Sequence, residues 1–474
     1  MTYHTPKLKA SRADGPVVPQ SVTGRYRRIK WWLLAFCLTV YYGLPFLRWD
    51  RGPGRPDQAI LLDLADVRFH FFGLEIRPQE LYYLTGGLVL ATMVLVLLNA
   101  LAGRVWCGFF CPQTVWTDLF LLVERKIEGD RRDRLRALDA PLTPRRVGLI
   151  ALKHAVWLLI AAGTGGAFVL YFADAPTLLT DAVTGQASSV AYGMILTLTL
   201  TTYGLAGFGR EKVCTWMCPW PRLQGAIWDP EALTVNYRDY RGEARMSAKK
   251  AAAARAAGLP AGDCVDCNAC VAVCPMGIDI RQGPSIACIN CGLCVDACDT
   301  TMFRIDRERG LIDFDSWTNL ERGRRGEERR PARVLRPKTA AIAVAIVALS
   351  GGMALSVATR SDLAVGVTHE RTPVAVALSD GRVRNAFEVR VTNTLAASES
   401  FELRVEGAAP ATLAVATRAG SESDAIRIEA GPDETRKVRV SVFGGPDLAG
   451  GLTFRLTSLR TGATVTVADR FSLP

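Results

Sequence analysis

Eight of the thirteen cysteines fall in two runs with the same internal spacing. The runs are CVDCNACVAVCP, with Cys264, Cys267, Cys270 and Cys274, and CINCGLCVDACD, with Cys288, Cys291, Cys294 and Cys298. C-x2-C-x2-C-x3-C is the spacing of ferredoxins with two [4Fe–4S] clusters, in which the fourth cysteine of each run binds the other cluster. The spacing therefore predicts that Cys264, Cys267, Cys270 and Cys298 hold one cluster and that Cys288, Cys291, Cys294 and Cys274 hold the second.

Zinc is the alternative metal for paired cysteines. A structural zinc site needs four ligands, so it would leave the C-x3-C members of both runs unexplained. The two runs differ at one place, where Asp299 stands in the second run and Pro275 in the first. This difference removes a residue that fixes a turn, but it removes no ligand.

Four further cysteines form a second kind of repeat, C-x3-C-P. RVWCGFFCPQ contains Cys107 and Cys111, and EKVCTWMCPWPRLQ contains Cys214 and Cys218. Each pair lies just past an apolar run, has tryptophans beside it (Trp106, Trp216, Trp220) and is followed by a glutamine (Gln113, Gln224). Two such copies indicate an internal repeat of a two-helix unit. The four thiols either pack as small hydrophobes or carry redox or metal chemistry.

Proline behind the second cysteine ends a helix, so each pair is expected at the C-terminus of a membrane helix. The helix dipole disfavours a thiolate there. A bound metal or the nearby cations Arg104, Arg210 and Lys212 could offset this effect.

Membrane helices must position these motifs, since hydrophobic residues make up 49% of the 474 residues. Runs long enough to cross a bilayer are Trp31–Leu47, Leu81–Ala102, Val147–Phe172, Val190–Phe208 and Thr339–Ala358. Residues 1–30, 103–148 and 209–338 hold seven, nine and twenty-one Lys and Arg, whereas residues 173–188 hold none. Positive flanks stay in the cytoplasm, so the N-terminus and the ferredoxin cysteines are expected inside and the C-terminus outside.

The expected fold is an α-helical membrane protein of five transmembrane helices with a cytoplasmic double-[4Fe–4S] insert and a C-terminal immunoglobulin-like β-sandwich. FEVRVTNT and SFELRVEG alternate apolar and polar residues as half-buried strands do. The expected parts are a basic N-terminus (1–30), a membrane domain with four spans (31–225), a helical linker (226–258), the ferredoxin domain (259–310), a basic linker (311–338), the fifth helix (339–358) and the periplasmic sandwich (360–474).

The net charge of +11 lies in the cytoplasmic flanks, which favours contact with lipid headgroups and argues against nucleic acid. The four histidines receive no role. His154, near the inner end of the third run, is interpreted as an interfacial residue bound to a backbone carbonyl.

The ordered combination of motifs resembles the cytochrome c oxidase accessory proteins of the CcoG/FixG/RdxA type. The resemblance covers essentially the whole chain and includes GIDIRQGPSIACINCGLCVDACD. It implies a bacterial inner-membrane polyferredoxin that supports assembly of the cbb3-type oxidase by reducing Cu(II) to Cu(I). Oxidase assembly factors or copper chaperones are the partners that it implies.

Three functions stay open. In the first, a cupric reductase, a cytoplasmic donor not identified by the sequence supplies electrons, and copper binds at Cys107, Cys111, Cys214 and Cys218, because soft thiolates favour Cu(I). In the second, the chain conducts electrons to an exported reductase, although the spans contain no paired histidine ligands. In the third, it is a non-enzymatic assembly partner whose clusters sense redox state.

Overall fold

A computed structural model describes residues 17–473, except 53–54, 66, 361–362, 371–372, 394–396, 408–410, 416–421, 432–433, 446–447 and 449. Residues 1–16 of the expected basic N-terminus lie outside the described residues. Two compact units make up the chain. The first contains the ferredoxin cysteines and the long apolar helices up to Met353, and the second contains residues 354–474 together with residues 50–56.

Five helices of the described chain are long and apolar enough to cross a membrane, as the sequence predicts. These spans, numbered in chain order, are Arg25–Phe46, Tyr82–Ala102, Pro144–Val169, Ser189–Gly209 and Pro337–Ala358. The shorter helices of the first unit are Val105–Phe109, Pro112–Glu128, Arg131–Asp139, Ala175–Thr184, Trp220–Ala226, Asp239–Gly242, Ala248–Ala256, Ala269–Ala272, Leu293–Arg304 and Trp317–Arg324. Single 3₁₀ turns are Leu44–Phe46, Pro78–Glu80 and Ile280–Gln282.

The third span is the centre of the membrane helices. It packs along the fourth span and also contacts the first span and the helix Pro112–Glu128. Gly165 permits the close approach to the fourth span, because a Cβ there would lie 2.8 Å from the carbonyl oxygen of Ile195. Trp157 and Phe120 are fully buried and stack at 5.1 Å. The fourth span ends in a π-helical stretch, Tyr203–Gly209.

His154 lies at this packed centre. Its Nδ1 is 2.9 Å from the hydroxyl of Tyr203 and its ring packs against Trp157 and Phe208. The partner is therefore a side chain, whereas the sequence interpretation expected a backbone carbonyl.

Two small antiparallel sheets complete the first unit. Ile60–Asp63, Arg68–Phe71 and Leu74–Ile76 form a meander between the first two spans in the sequence. Thr234–Tyr237 pairs with Ile312–Asp315, with Val235 opposite Phe314. These two strands lie in residues 226–258 and 311–338, which the sequence interpretation treats as linkers. The expected helix of the first linker is present as Ala248–Ala256, but the strands join both segments to the ferredoxin core.

The second unit contains a β-sandwich of two antiparallel sheets. One sheet has the order Thr412–Val415, Thr435–Gly444, Val383–Asn393, Leu363–His369, and Ala375–Ala377 also pairs with Val383–Asn393. The other has the order Ala425–Ala430, Glu399–Gly407, Gly450–Ser458, Thr464–Phe471. Alternate residues such as Phe387, Val389 and Leu403 are fully buried between the sheets, as the period of two predicts.

Candidate redox and metal site

The two ferredoxin loops have the same backbone conformation. Asp266 and Asn268, on either side of Cys267, have φ of 52° and 56°, and Asn290 and Gly292, on either side of Cys291, have φ of 53° and 73°. Such left-handed residues turn successive backbone N–H groups toward one side, which is the arrangement that many iron–sulfur sites use to bind an anionic group. The backbone of both loops therefore fits a [4Fe–4S] cluster.

One cavity brings together the four thiols predicted for the first cluster. Cys264, Cys267, Cys270 and Cys298 all line it, together with apolar residues such as Met302 and Leu311. Cys267 is exposed, whereas Cys264, Cys270 and Cys298 are buried. The first cluster would therefore reach the protein surface beside Cys267.

A second cavity brings together the thiols predicted for the second cluster. Cys274, Cys288, Cys291 and Cys294 line it. Cys270 lines both cavities, so the two predicted cluster sites are neighbours. Asp299 continues the helix Leu293–Arg304 beyond Cys298, and its carboxylate accepts the N–H of Gly310 at 2.8 Å.

The two C-x3-C-P segments repeat an unusual backbone feature. Gly103 and Arg210 each precede the first cysteine of their segment by four residues. Gly103 has φ 55° and ψ −124°, and Arg210 has φ 40° and ψ −120°. This region favours glycine, and the second segment adopts it with arginine. The shared conformation supports the internal repeat that the sequence indicates.

Each C-x3-C-P segment also contacts the other segment through its glutamine side chain. Gln113 donates to the carbonyl oxygens of Leu205 at 2.9 Å and Arg210 at 3.3 Å. Gln224 accepts a contact from the sulfur of Cys107 at 3.8 Å. The two repeats therefore form one structural unit.

The position of the cysteines relative to the helices corrects the sequence interpretation. The second span ends at Ala102 and is followed by Gly103, and Cys107 lies on a separate helical turn, Val105–Phe109. Cys111 directly precedes the helix Pro112–Glu128, so it lies at a helix N-terminus. Burial raises the pKa of the Cys111 thiol, and hydrogen bonds from the N–H groups of Gln113 and Thr114 act in the opposite direction.

The second segment is organised in the same way. Cys214 lies in a short π-helical stretch, Val213–Met217, and Cys218 follows it in an extended conformation. Arg210 was expected to support a thiolate, but its guanidinium binds the Glu124 carboxylate and the carbonyl oxygen of Gly207.

The four thiols lie close enough to influence one another electrostatically. Burial and the neighbouring thiols Cys111, Cys214 and Cys218 together raise the pKa of Cys107 to about 12, and the charge of Arg104 acts in the opposite direction. Burial likewise raises the pKa of Cys214 to about 11. Within the described chain, however, no three His, Cys, Asp or Glu side chains are grouped as ligands of a single metal ion. The ferredoxin thiols are not grouped in this way either. Each of them would bind a different iron of a cluster, so they need not converge on one point.

The approach of the thiols does not require the second and fourth spans to pack on each other. The fourth span packs on the third. The thiols approach because both segments continue as short helices beyond the ends of their spans.

The C-x3-C-P unit contacts the second ferredoxin cavity directly. Cys107 and Cys214 pack against the same buried apolar cluster as Cys274, Cys288 and Cys294. The guanidinium of Arg104 donates to the carbonyl oxygens of Ile286 and Cys288, and to that of Pro221 at 2.6 Å. Arg104 therefore holds both repeats against the ferredoxin loop. Its charge also acts to lower the pKa of Cys107 and Cys214, as the sequence interpretation expected.

Backbone contact reinforces this junction. A Cβ at Gly108 would lie 2.5 Å from the carbonyl oxygen of Ile289, and a Cβ at Gly103 would lie 2.6 Å from the side chain of Asn290. Only glycine lets the two segments come this close.

The sequence interpretation missed a second junction, at Asp296. Its carboxylate accepts the backbone N–H groups of Tyr26 at 3.1 Å and Arg27 at 2.8 Å, at the start of the first span. Tyr26 also packs on Phe314 at 5.0 Å. The first span is therefore anchored to the ferredoxin helix that carries Cys294 and Cys298.

Comparisons with known proteins agree with this organisation. A family model described as a 4Fe-4S dicluster domain matches residues 209–317, and one described as a 4Fe-4S binding domain matches residues 84–128. A third, described as an IG-like fold at the C-terminal of FixG, putative oxidoreductase, matches residues 353–474. The chain therefore carries two 4Fe–4S domains and a C-terminal immunoglobulin-like domain.

Similar proteins cover most of the chain. Protein RdxA of Cereibacter sphaeroides is 47% identical over 396 residues, which cover 83% of each chain. Nitrogen fixation protein FixG of Rhizobium meliloti is 43% identical over 468 residues, which cover 92% of this chain and 89% of FixG. A crystal structure of a FixG-related protein from Vibrio parahaemolyticus matches 24% of this chain and 96% of its own, with 20% identity and a TM-score of 0.20.

Proposed function

This chain belongs to the FixG and RdxA family of membrane iron–sulfur proteins, and we propose that it transfers electrons to copper held by its C-x3-C-P thiols. The observation that carries the proposal is the packing of Cys107 and Cys214 against the buried apolar cluster whose members Ile289 and Cys291 line the cavity of the second cluster. Thiols in this position would bring a metal ion close to a reduced centre.

The arrangement of the cysteines suggests the order of electron transfer. When bound, the clusters would supply one-electron transfer. Cys267 offers the exposed entrance, Cys270 lines both cavities, and Cys107 and Cys214 lie beyond the second. The reaction at the far end is the gain of one electron by Cu(II) to give Cu(I), and a low-potential cytoplasmic donor supplies that electron.

Copper suits these ligands because soft thiolates stabilise Cu(I) relative to Cu(II). Burial raises the pKa of the Cys107 thiol to about 12, so this thiol is protonated at neutral pH before metal binds. Metal binding must therefore release protons. The arrangement of the four thiols must also tighten on binding, since no three of the described metal-ligating side chains form a site for one ion.

The proposal includes a location and partners. The N-terminus and the ferredoxin domain would lie in the cytoplasm and the sandwich in the periplasm of a bacterial inner membrane, because Lys and Arg are concentrated in residues 103–148 and 209–338. Copper chaperones or assembly factors of a cbb3-type cytochrome c oxidase would receive the Cu(I).

A third iron–sulfur cluster is the second candidate for the C-x3-C-P site. It is favoured by the match of residues 84–128 to a 4Fe-4S binding domain. That segment contains only Cys107 and Cys111, so Cys214 and Cys218 would have to supply the remaining ligands. Thiols that each bind a different iron also need not meet at one point.

One experiment separates these candidates. Iron and copper are measured in anaerobically purified protein. Cu(II) is then added to protein whose clusters have been reduced with dithionite and which has been freed of excess reductant, and the Cu(I) formed is measured. The Cys107→Ala/Cys111→Ala and Cys214→Ala/Cys218→Ala variants are compared with Cys37→Ser, which changes a thiol of the first span. Copper reduction that disappears while iron stays at about eight per chain supports the copper site.

Two other results would redirect the assignment. Iron near twelve per chain that falls to about eight in both double variants would identify a third cluster. Copper reduction that survives the loss of all four thiols would leave them a structural role. A quinone-dependent activity in membranes would favour the electron conduit, and inactive protein with intact clusters would favour the redox sensor.

A further inference from the structure

A cavity opens on the first unit at the start of the third span, away from the cysteines. It lies between the C-terminal end of the helix Pro112–Glu128, the helix Arg131–Asp139 and the third span, and Val18 closes one side. Its volume is about 260 Å³, just below the usual range of small-molecule sites and large enough for a headgroup-sized ligand. The cavity has a polar and an apolar part.

The third span contributes one continuous face to this cavity. Arg146, Leu149, Ile150 and Lys153 line it, and their spacing of three and four residues places them on the same side of a helix. The span begins at Pro144, so these residues occupy its first turns. In a membrane this is the depth of the lipid headgroups and of the first acyl carbons.

The charges of the cavity are unbalanced. Its lining contains three cations, Arg134, Arg146 and Lys153, and one carboxylate, Glu128. Lys153 lies 2.7 Å from Glu128, and Arg134 lies 2.7 Å from Glu124 behind the lining. Since Glu124 is also paired with Arg210, the site keeps an excess of positive charge.

Two of these cations have donor capacity to spare. Nη1 of Arg134 is buried and has no hydrogen-bond partner among the residues that the structure describes. Among the residues that the structure describes, the guanidinium of Arg146 is bound through backbone carbonyl oxygens, those of Ala140 and Pro141. Arginine side chains in this state are suited to phosphate oxygens.

We propose that this cavity binds the headgroup of an anionic phospholipid. Its phosphate would lie between Arg134, Arg146 and Lys153, and an acyl chain would follow Leu149 and Ile150 toward the hydrocarbon region. Basic pockets between membrane helices at the cytoplasmic surface are known to take such headgroups. Leu138 also lines the cavity and is 56% exposed, so apolar surface is available at its mouth.

A free phosphate ion shares the headgroup chemistry but not the acyl chain. The apolar part of the lining, formed by Leu138, Leu149 and Ile150, favours the lipid, since a phosphate ion would leave this surface exposed. The inference does not depend on the copper proposal, because none of the lining residues belongs to the C-x3-C-P unit or to the ferredoxin loops.

The test measures cardiolipin binding to the full chain in detergent, by native mass spectrometry and by titration. Arg146→Gln should weaken binding about fivefold, the effect of one cation near an anionic lipid surface. Arg136→Gln is the control, because Arg136 lies outside the lining on the adjacent helix Arg131–Asp139, with 71% of its side chain exposed. Equal losses in the two variants, or no loss in either, would overturn the proposal.

A second variant tests the cavity itself. Ala137→Trp should fill the space that Ala137 lines and abolish the bound lipid. Ala151→Trp, at an exposed position of the third span outside the lining, should bind cardiolipin normally. Iron content and the thermal midpoint report whether each variant is folded. Phosphatidylethanolamine should bind at least several-fold more weakly. If inorganic phosphate displaces cardiolipin at equal concentration, the ligand is a free anion and the lipid assignment is wrong.

Discussion

The guanidinium of Arg104 donates a hydrogen bond to the carbonyl oxygen of Cys288 over 3.3 Å, although 183 residues separate the two in the chain. Arg104 belongs to the first C-x3-C-P segment and Cys288 to the second ferredoxin run. The contact fixes a membrane-associated segment to a predicted cluster loop, so electron transfer across this junction depends on its geometry.

Arg104→Lys tests this junction. Lysine keeps the charge but cannot bridge carbonyl groups on two segments with a planar fork. Copper reduction should slow at least several-fold with iron unchanged, and the protein should lose about 1.5–3 kcal/mol of stability. Reduction rates and thermal midpoints check this. Arg222→Lys, at an exposed position nearby, is the control, and an equal slowing in both would refute a special role for Arg104.

Gly108→Ala tests the backbone contact with Ile289. The new Cβ would lie 2.5 Å from a carbonyl oxygen, so the ferredoxin loop must shift. We expect a loss of about 1–3 kcal/mol and slower copper reduction. Gly87→Ala in the second span is the comparison, since a Cβ there meets nothing within 4 Å in the described part of the chain. Unchanged midpoints in both variants would show that the loops are farther apart.

Cys298→Ser tests the crossed ligands of the ferredoxin domain. Cys298 lies in the second run, but it lines the same cavity as Cys264, Cys267 and Cys270. The variant should damage the first cluster and reduce iron from about eight to about four per chain. Anaerobic iron analysis and electron paramagnetic resonance identify the remaining cluster. Loss of the cluster held by Cys288, Cys291 and Cys294 instead would disprove the crossing.

Asp118→Asn tests an ion cluster beneath the first span. The buried Asp118 carboxylate lies 3.2 Å from Arg27 and 2.8 Å from Lys30. Neutralising it leaves buried cations unpaired, which should cost about 3–5 kcal/mol. Asp133→Asn, whose exposed carboxylate lies 3.9 Å from Arg136, should have little effect. Similar thermal midpoints for both variants would contradict this prediction.

The same group predicts a pH dependence. Burial alone would raise the pKa of Asp118, but Lys30 and Arg27 outweigh it and lower the pKa. The unfolded carboxyl titrates near pH 4, so the stabilisation is complete above about that pH. It is lost only as the pH falls through the lowered pKa of the folded state. The difference in unfolding free energy between the parent protein and the Asp118→Asn variant should therefore become smaller as the pH falls through that range.

Reporter fusions test the proposed orientation. A reporter fused after Phe208, or within residues 300–335, should be active only in the cytoplasm, and one fused after Pro474 only in the periplasm. The reason is the alternation of Lys and Arg counts along the chain. A cytoplasmic signal from the C-terminal fusion would mean that the number of spans crossing the membrane is not odd.

Local patterns in the sequence predicted much of the fold. Five apolar runs predicted five helices, and alternation in FEVRVTNT predicted a strand that the structure places in the sandwich as part of Val383–Asn393. These features depend on composition or period within one segment. The strand Thr234–Tyr237 escaped prediction because its four residues are stabilised by a partner that begins 75 residues after it ends.

The site was predictable only in part for the same reason. Fixed spacing indicated the cysteines, but nothing near Asp296 indicates that its carboxylate anchors Tyr26 from 270 residues away. The helix end at Cys111 was misread, since proline was taken to stop a helix when Pro112 begins one. Gly103 carried the missed signal, because glycine commonly follows a helix C-terminus.

The exposure of Cys267 determines where damage by air should begin. It is the one exposed thiol among the eight ferredoxin cysteines, and accessible thiolates are oxidised before shielded ones. Oxygen should therefore destroy the two clusters one after the other, beginning with the first cluster, which Cys267 would bind and which would receive electrons from the donor. A briefly aerated protein would keep the second cluster, but that cluster could no longer receive electrons through the first. Inactivation would therefore precede most of the loss of iron.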